Sequence, residues 1–536
     1  MDVVFVTAEA DPFVKTGGLG ELGGLLPAFL HKQGTDVRVI MPKYSAIAEH
    51  FRRDFEHLAH FYVSVAWRKQ YCGLDEMVYQ GVHYYFIDNE YYFSRPSIYG
   101  EYDDAERFAF FSRAALESLI HIPGFKPDII HCNDWHTALI PLMLKEFYSQ
   151  EPLYYPIKTV FTIHDLKNQG VFPKEVLSDI VGLGSEHFTA DSLEFYGGVN
   201  FMKAALLYAD RITTISPTYA QEIQCPYCGE NLDGLLRKRS GCLMGILNGI
   251  DYQVQVYKKY KDPYLVKPYN NFTFAKEKNK KQLQSTFGLP IRGDRAVLGM
   301  VSLLVDQKGL DLLAHVVDEI LAQDVQMVIL GTGEHRYEKI LKDFASKYPE
   351  KLAVRLECSD KLAHAVYAGA DLLLMPSRIE PCGISQMIAL RYGTIPIVRE
   401  TGGLKDTIIP YNEVTGTGNG FSFVNYNAHE LLFEVQHALR IYHEDKQAWD
   451  NLCHNALASD FSWERSANAY IEIYKSLIFY NARMDYLVYL LKIGRSSREL
   501  RESIQGAREQ GLWNPIANLS REASGKIEPP LTAFGS

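Results

Sequence analysis

The segment Lys15-Thr-Gly-Gly-Leu-Gly-Glu-Leu-Gly-Gly24 places five glycines in ten residues and follows a short apolar run, Val3–Thr7. Glycine lets backbone N–H groups approach an anion closely, and a helix starting near Glu21 would add partial positive charge at its N-terminus. Lys15, Gly17 and Gly18 are therefore candidate ligands for a phosphate. The segment is not a P-loop, because no Gly-Lys-Ser/Thr follows, and it lacks the strict dinucleotide spacing. A turn with tight helix–sheet packing would explain the same glycines.

Other groups with chemical potential follow apolar runs in the same way. Asn133-Asp134-Trp135-His136 follows Asp128–His131, and His164-Asp165 ends Lys158–His164. Polar pairs at such ends can hydrogen-bond sugar hydroxyls, and the His164 carbonyl can stabilise positive charge developing on a sugar. Taken one at a time, each is more simply a capping aspartate or a satisfied core histidine. Gln307-Lys308-Gly309 offers a point charge for a distal phosphate. Gly331-Thr-Gly333 offers a second glycine turn. Glu380, between Arg378 and Pro381 and ahead of Cys382-Gly383, is a carboxylate in a rigid turn. Thr401-Gly402-Gly403-Leu404 opens a helix and offers a hydroxyl and N–H groups to phosphate. Cys225-Pro-Tyr-Cys228 looks like half a zinc site, but no second Cys or His pair follows at finger spacing, so an ordinary loop is the simpler reading.

What must position these groups is a repeated strand–helix alternation. Val3–Thr7, Val37–Met41, Asp128–His131 and Lys158–His164 read as buried parallel strands in the first half. Ala296–Ser302, Gln326–Leu330, Asp371–Met375 and Ile395–Val398 do so in the second. Strands alternating with helical stretches indicate βαβ units and one parallel sheet per half. Ligands of open parallel sheets bind at the carboxyl ends of the strands. Two sheets, each decorated at those ends, imply that the ends face one shared cleft. Tyr257–Lys281, rich in Lys, Tyr, Pro and Asn, reads as a linker.

A length of 536 residues exceeds one ordinary core, and 47% hydrophobic content is that of a folded protein. The net charge of −10 argues against nucleic-acid partners and anionic membrane surfaces. No apolar run reaches membrane-spanning length, and the acidic flank of Val3–Thr7 is unlike a signal peptide. The eight scattered cysteines fit reduced thiols. These features predict a cytoplasmic protein.

Together the motifs resemble the bacterial glycogen synthase and plant starch synthase family. The matching segments include Lys15-Thr-Gly-Gly-Leu-Gly, Asn133-Asp-Trp-His-Thr-Ala-Leu, Ile246-Leu-Asn-Gly-Ile-Asp251, Gln307-Lys-Gly-Leu-Asp311, Pro376-Ser-Arg-Ile-Glu-Pro-Cys-Gly383, Thr401-Gly-Gly-Leu404 and Phe461-Ser-Trp463. The resemblance runs from about Asp2 to Lys475. It implies an α/β chain of the GT-B fold, with two Rossmann-like domains facing across a cleft. It divides the chain into a first domain at 1–256, a linker at 257–292, a second domain at 293–460, a helix crossing back at 461–480, and a partly disordered extension at 481–536. It implies a hexosyltransferase that moves glucose from ADP-glucose or UDP-glucose to the non-reducing end of an α-1,4-glucan, with retention and without metal or cofactor. Lys15, Gly18, Lys308 and Thr401 would meet the donor phosphates, Asp134 and His164 the glucosyl unit, and Glu380 with Cys382-Gly383 the glucose hydroxyls.

Three departures fall in the expected donor site. Leu303 stands where the family carries an arginine, and losing such a contact in a closed cleft costs about 2–5 kcal/mol if nothing replaces it. Asp165 replaces an asparagine, and Cys358 replaces the aromatic that would stack on the base; Asn168 sits where the family often has tyrosine. Three readings stay open: an active glucan synthase with an altered donor site, a weak or inactive synthase-like protein that binds glucan or regulates a partner, and a transferase for another sugar or acceptor.

Overall fold

A computed structural model describes residues 1–252, 264 and 272–492, those from 480 onward as backbone alone. Residues 1–471 form one compact unit, and those from Glu472 belong to a second. The strands, in chain order, are β1 Asp2–Val6, β2 Asp36–Pro42, β3 Glu56–Val65, β4 Arg68–Tyr79, β5 Val82–Asp88, β6 Ile129–Asn133, β7 Lys158–Ile163, β8 Val171–Pro173, β9 Glu194–Phe195, β10 Gly198–Asn200, β11 Arg211–Thr214 and β12 Leu243–Gly245. In the second half they are β13 Ala296–Val301, β14 Val325–Leu330, β15 Leu352–Arg355, β16 Leu372–Met375, β17 Ile395–Arg399 and β18 Phe421–Phe423.

The first sheet runs β12-β11-β7-β6-β1-β2-β5-β4-β3 and is parallel except for the antiparallel β5-β4-β3 edge. β8-β10-β9 form a small antiparallel sheet of their own. The second sheet runs β15-β14-β13-β16-β17-β18 and is parallel throughout. Central parallel strands such as β1, β6, β7 and β14 are buried on both faces, which is why they read as continuous apolar runs rather than alternating ones. β14 is buried at all six positions, including Gln326. That side chain is satisfied by Gln284 Nε2 at 2.7 Å and by the Pro290 carbonyl at 2.9 Å, so its burial carries no unpaired amide.

Among its parallel strands each sheet reverses its order once. β1 lies between β2 and β6, and β13 lies between β14 and β16. The crevices at the carboxyl ends of these strand pairs are where open α/β sheets bind ligands.

The stretch expected as a linker over 257–292 includes regular structure. Residues 257–263 and 265–271 of it lie outside the described residues, but Phe272–Phe287 is a helix that packs on helix Asp360–Gly369 of the second domain. A Cβ on Gly369 would stand 2.8 Å from the Asn279 carbonyl. Lysines obscured the apolar pattern because two of them point inward. Lys280 pairs with Asp371 at 2.7 Å, and Lys276 bonds the Thr394 hydroxyl and the Tyr392 carbonyl. Asp371, expected to open a strand, instead accepts the Val297 N–H at 2.8 Å ahead of β16.

The last helix, Trp463–Lys492, outruns the expected 461–480. Its first turns return to the first domain. The Ser466 hydroxyl donates to the Leu247 carbonyl at 2.6 Å, and the Tyr470 ring lies 5.2 Å from that of His131 on β6. Residues 493–536 of the expected extension lie outside the described residues. Among the described residues, no helix is long and apolar enough to cross a membrane.

Candidate functional site

The glycine loop is built around one buried carboxylate. Glu9 follows β1 and accepts the Thr16 N–H at 2.5 Å, the Thr16 hydroxyl at 2.7 Å and the Tyr99 hydroxyl at 2.6 Å. These bonds hold Thr16 just ahead of helix Gly18–Lys32, which starts three residues before the expected Glu21. Four of the five glycines divide by role. A Cβ on Gly23 would lie 2.2 Å from the Glu9 carbonyl, and one on Gly24 2.2 Å from that of Asp11, so both exist for close packing. A Cβ on Gly17 or Gly18 would meet nothing within 4 Å. Those two face open space at the helix N-terminus, beside Lys15, whose ammonium is 3.4 Å from Glu21. Burial raises the pKa of Glu21, and the Lys15 charge works against that rise.

At the crevice beside β6 and β7 the polar residues lock one another. The Asp134 carboxylate accepts the His164 N–H at 2.8 Å. Asp134 holds φ 55°, in the left-handed region, a strained conformation for a non-glycine residue. Burial pushes its carboxyl up to about 8, against the hydrogen bonds it accepts from the His164 and Asp165 N–H groups. His164 is buried, and its pKa falls to about 3. Its ring is therefore neutral near pH 7, and Nε2 donates to the Asn133 Oδ1 at 3.1 Å. Asn133 Nδ2 in turn donates to the Val6 carbonyl at 3.1 Å. Asp165, a departure from the family pattern, is turned into its own loop. It accepts the Lys167 N–H at 3.0 Å and the Asn168 amide at 2.9 Å.

The second domain contributes a cavity of about 210 Å³ at the crevice between β13 and β16. Its lining includes Ser302, Leu303, Lys308, Ser377, Glu380, Gly383 and Ser385. Lys308 Nζ donates to Glu380 Oε2 at 2.6 Å, and the Ser377 hydroxyl donates to the same oxygen at 3.0 Å. Gly309, at φ 73°, makes this possible: a Cβ there would lie 2.0 Å from the Pro376 carbonyl. The Gln307 amide reaches the Ile379 carbonyl at 3.2 Å, and the Arg378 N–H reaches the Gln307 carbonyl at 2.8 Å, so the two turns are zipped together. Among the described lining residues, Lys308 is the one cation. Leu303 is 59% exposed, packs into no core, and occupies the wall where a second cation was expected. Cys358 is exposed, with its sulfur 3.5 Å from the Thr332 hydroxyl.

Several predicted ligands have close protein neighbours of their own. Gly331 and Gly333 let the loop after β14 lie against the loop after β13. Cβ atoms there would stand 1.8 Å from the Ser302 carbonyl and 2.3 Å from the Leu304 carbonyl, so packing accounts for both. At Thr401-Gly402-Gly403 the expected phosphate donors already have protein acceptors. The Thr401 hydroxyl donates to Glu222 at 3.2 Å, the Gly402 N–H to the same carboxylate at 3.1 Å, and the Gly403 N–H to the Glu380 carbonyl at 3.1 Å. Cβ atoms on Gly402 and Gly403 would collide with the Glu380 and Cys382 carbonyls at 2.0 and 1.9 Å. These residues shape the Glu380 turn and dock the first domain. Cys382 is buried, which pushes its thiol up to about 12.

Sequence reasoning assigned no role to the residues that join the two domains. Glu222 closes helix Pro217–Glu222, after β11, and reaches the Thr401 turn after β17. In return Asp406 accepts the Ser216 hydroxyl, the Thr218 N–H at 3.1 Å and the Thr218 hydroxyl at 2.6 Å. The carboxyl ends of both sheets thus meet. The Asn248 N–H points at the Cys382 sulfur, and Asn248 Oδ1 is buried without a hydrogen-bond partner in the protein. In the sequence the only signal for Asn248 is its place in the motif Ile246–Asp251. Cys225 and Cys228 are free thiols, and no group of three His, Cys, Asp or Glu among the described residues is placed to hold a metal.

Comparison with known proteins agrees with this geometry. Residues 2–238 match the family model described as the starch synthase catalytic domain, and 281–451 that of glycosyl transferases group 1. The chain is 54% identical over 480 residues to the glycogen synthase of Desulfitobacterium hafniense, covering 89% of this chain and 100% of that one. It is 51% identical over 479 residues to the glycogen synthase of Anoxybacillus flavithermus, covering 89% and 98%. Among solved structures, the catalytic domain of starch synthase IV from Arabidopsis thaliana, bound to ADP and acarbose, superposes with a TM-score of 0.81 at 33% identity, covering 89% of this chain and 99% of that one.

Proposed function

The chain belongs to the glycogen synthase and starch synthase family, a GT-B glucosyltransferase of two Rossmann-like domains, and from that premise we propose that it transfers glucose from ADP-glucose to the non-reducing end of an α-1,4-glucan with retention. The observation that carries this reading is the Lys308–Glu380 pair in a cavity at the strand-order reversal of the second sheet. The adenine nucleotide is favoured over UDP because the superposed starch synthase holds ADP.

In this reading the nucleotide lies in the second-domain cavity. Lys308 exchanges its bond to Glu380 for a phosphate oxygen, and the freed Glu380 carboxylate accepts hydrogen bonds from the glucose hydroxyls. Lys15 and the N–H groups of Gly17 and Gly18 approach the phosphates from the first domain. The acceptor hydroxyl bonds to C1 as the C1–phosphate bond breaks, and its proton passes to the departing phosphate oxygen. Positive charge at C1 is stabilised by the His164 carbonyl, whose peptide plane Asp134 holds through the Asp165 N–H. A neutral His164 ring adds no opposing charge beside that centre. The pair and the glycine loop act from opposite domains, so the reaction requires both at one substrate, and Glu222 and Asp406 join the two domains.

The test is transfer of radiolabel from ADP-glucose, and separately UDP-glucose, to glycogen. Incorporation from ADP-glucose is expected. A second reading, a weak synthase-like protein that binds glucan, is favoured by Leu303; it predicts glycogen binding without incorporation from either donor.

A further inference from the structure

Cys225-Pro-Tyr-Cys228 is absorbed neither by the transfer chemistry nor by a metal. It forms the turn after helix Pro217–Glu222. The Cys228 N–H donates to the Cys225 carbonyl at 3.2 Å, and the Gly229 N–H donates to the same oxygen at 2.9 Å. Such a turn holds its end Cα atoms within about 7 Å, and a disulfide spans about 4.4–6.8 Å. The Cys225 thiol is exposed and Cys228 half-buried. The turn is joined to both domains. The Cys225 N–H donates to the Glu222 carbonyl at 2.9 Å, and the Glu222 carboxylate grips Thr401 and Gly402. On the other side the Gln169 amide donates to the Glu230 carbonyl at 3.0 Å, in the loop that carries His164.

We propose that Cys225 and Cys228 are a reversible dithiol–disulfide site whose oxidation loosens the Glu222 contact between the two domains. The oxidant is a low-molecular-weight disulfide. The exposed Cys225 thiolate attacks one of its sulfurs, breaking that S–S bond and releasing one thiol. Cys228 then gives its proton to water and attacks the Cys225 sulfur, expelling the second thiol. Two protein thiols are oxidised, and one small disulfide is reduced to two thiols. The order follows from access: burial, with the Glu222 charge, holds the Cys228 thiol up at about 11, so it resolves rather than initiates. To form the bond, the Cys225 sulfur must leave the Gln221 carbonyl, now 3.9 Å away at the end of the Glu222 helix. The turn on which Glu222 depends is thereby reshaped.

The test treats the full chain with oxidised glutathione, followed by alkylation and peptide mapping. The wild type should yield a Cys225–Cys228 disulfide that dithiothreitol reverses. Cys228→Ser should trap a stable glutathione adduct on Cys225, and Cys225→Ser should give no cross-link. ADP titration should then show several-fold weaker binding for the oxidised wild type and no change for treated Cys225→Ser. The site rests on the proposed nucleotide-binding reading only for that last readout. If ADP does not bind the reduced chain, that reading fails by itself, and small-angle scattering decides the loosening instead, through a larger radius of gyration on oxidation. Separate adducts on the two cysteines in place of a cross-link would overturn the site. A cross-link that alters neither ADP affinity nor, where ADP does not bind, the radius would overturn its coupling to Glu222.

Discussion

The Asp134 carboxylate accepts the His164 backbone N–H at 2.8 Å, fastening the carboxyl end of β6 to that of β7. The same carboxylate accepts the Asp165 N–H, which shares a peptide plane with the His164 carbonyl, so Asp134 fixes the direction of the carbonyl proposed to face the reacting carbon. It also places an acid where burial opposes its charge.

That burial has a pH signature. Asp134 rises from 3.8 to about 8 on folding, so the folded chain keeps a proton that the unfolded chain has released. Stability from this group is full below about pH 4 and is lost as pH climbs through about 8. His131 and His164 fall from 6.5 to about 3, and their contribution is lost in the opposite direction, as pH drops below about 6.5. Calorimetric Tm of the ligand-free chain should fall on both sides, and Asp134→Asn should flatten only the alkaline side. Identical alkaline slopes in the two proteins would remove Asp134 as its origin.

Lys308 and Glu380 should act as a unit. Lys308→Ala and Glu380→Gln are each expected to lower kcat by about 10²–10³-fold, and the double variant should lose little more than the worse single one. Steady-state kinetics on the three proteins checks this; multiplicative losses would show that the two residues act separately.

Leu303→Arg adds a second cation to the cavity wall at the cost of a half-exposed leucine that packs into no core. It should raise kcat/KM for ADP-glucose by about tenfold or more, equivalent to ~1.4 kcal/mol. An unchanged value would mean that Lys308 already supplies what the leaving phosphate needs.

The glycine loop separates folding from binding. Gly23→Ala puts a methyl group 2.2 Å from the Glu9 carbonyl and should destabilise by about 2 kcal/mol or more. Gly17→Ala meets no protein atom within 4 Å, so its Tm should hold while ADP affinity falls. Equal Tm losses in the two variants would deny the division.

Removing Asp406 leaves Ser216 and Thr218 without their shared acceptor. Asp406→Ala should open the domains, seen as a larger radius of gyration in solution scattering, with a stability loss of about 1–3 kcal/mol. An unchanged radius would show that Glu222 and the final helix suffice.

The fold class, the two sheets and most strand positions were legible in sequence because burial on both faces leaves runs such as Val325–Leu330, and because parallel strands need helical crossovers between them. The helix Phe272–Phe287 was missed because Lys276 and Lys280 are buried partners of the Thr394 hydroxyl and Asp371, and no local pattern distinguishes an inward lysine from a solvated one. Glycines were legible as necessary but not as to their purpose. Gly17 and Gly402 look alike in a sequence, yet one faces open space and the other lies against the Glu380 carbonyl. The sequence by itself determined what recurs within a few residues: strand and helix periods, turn residues, and the presence of Lys15, Lys308 and Glu380 at strand ends. Only the tertiary structure decided which of these groups remain available to a ligand. Glu222 and Asp406, about 180 to 190 positions from their partners, take up donors and acceptors that local reading leaves free, because hydrogen bonds are satisfied by neighbours in space rather than along the chain.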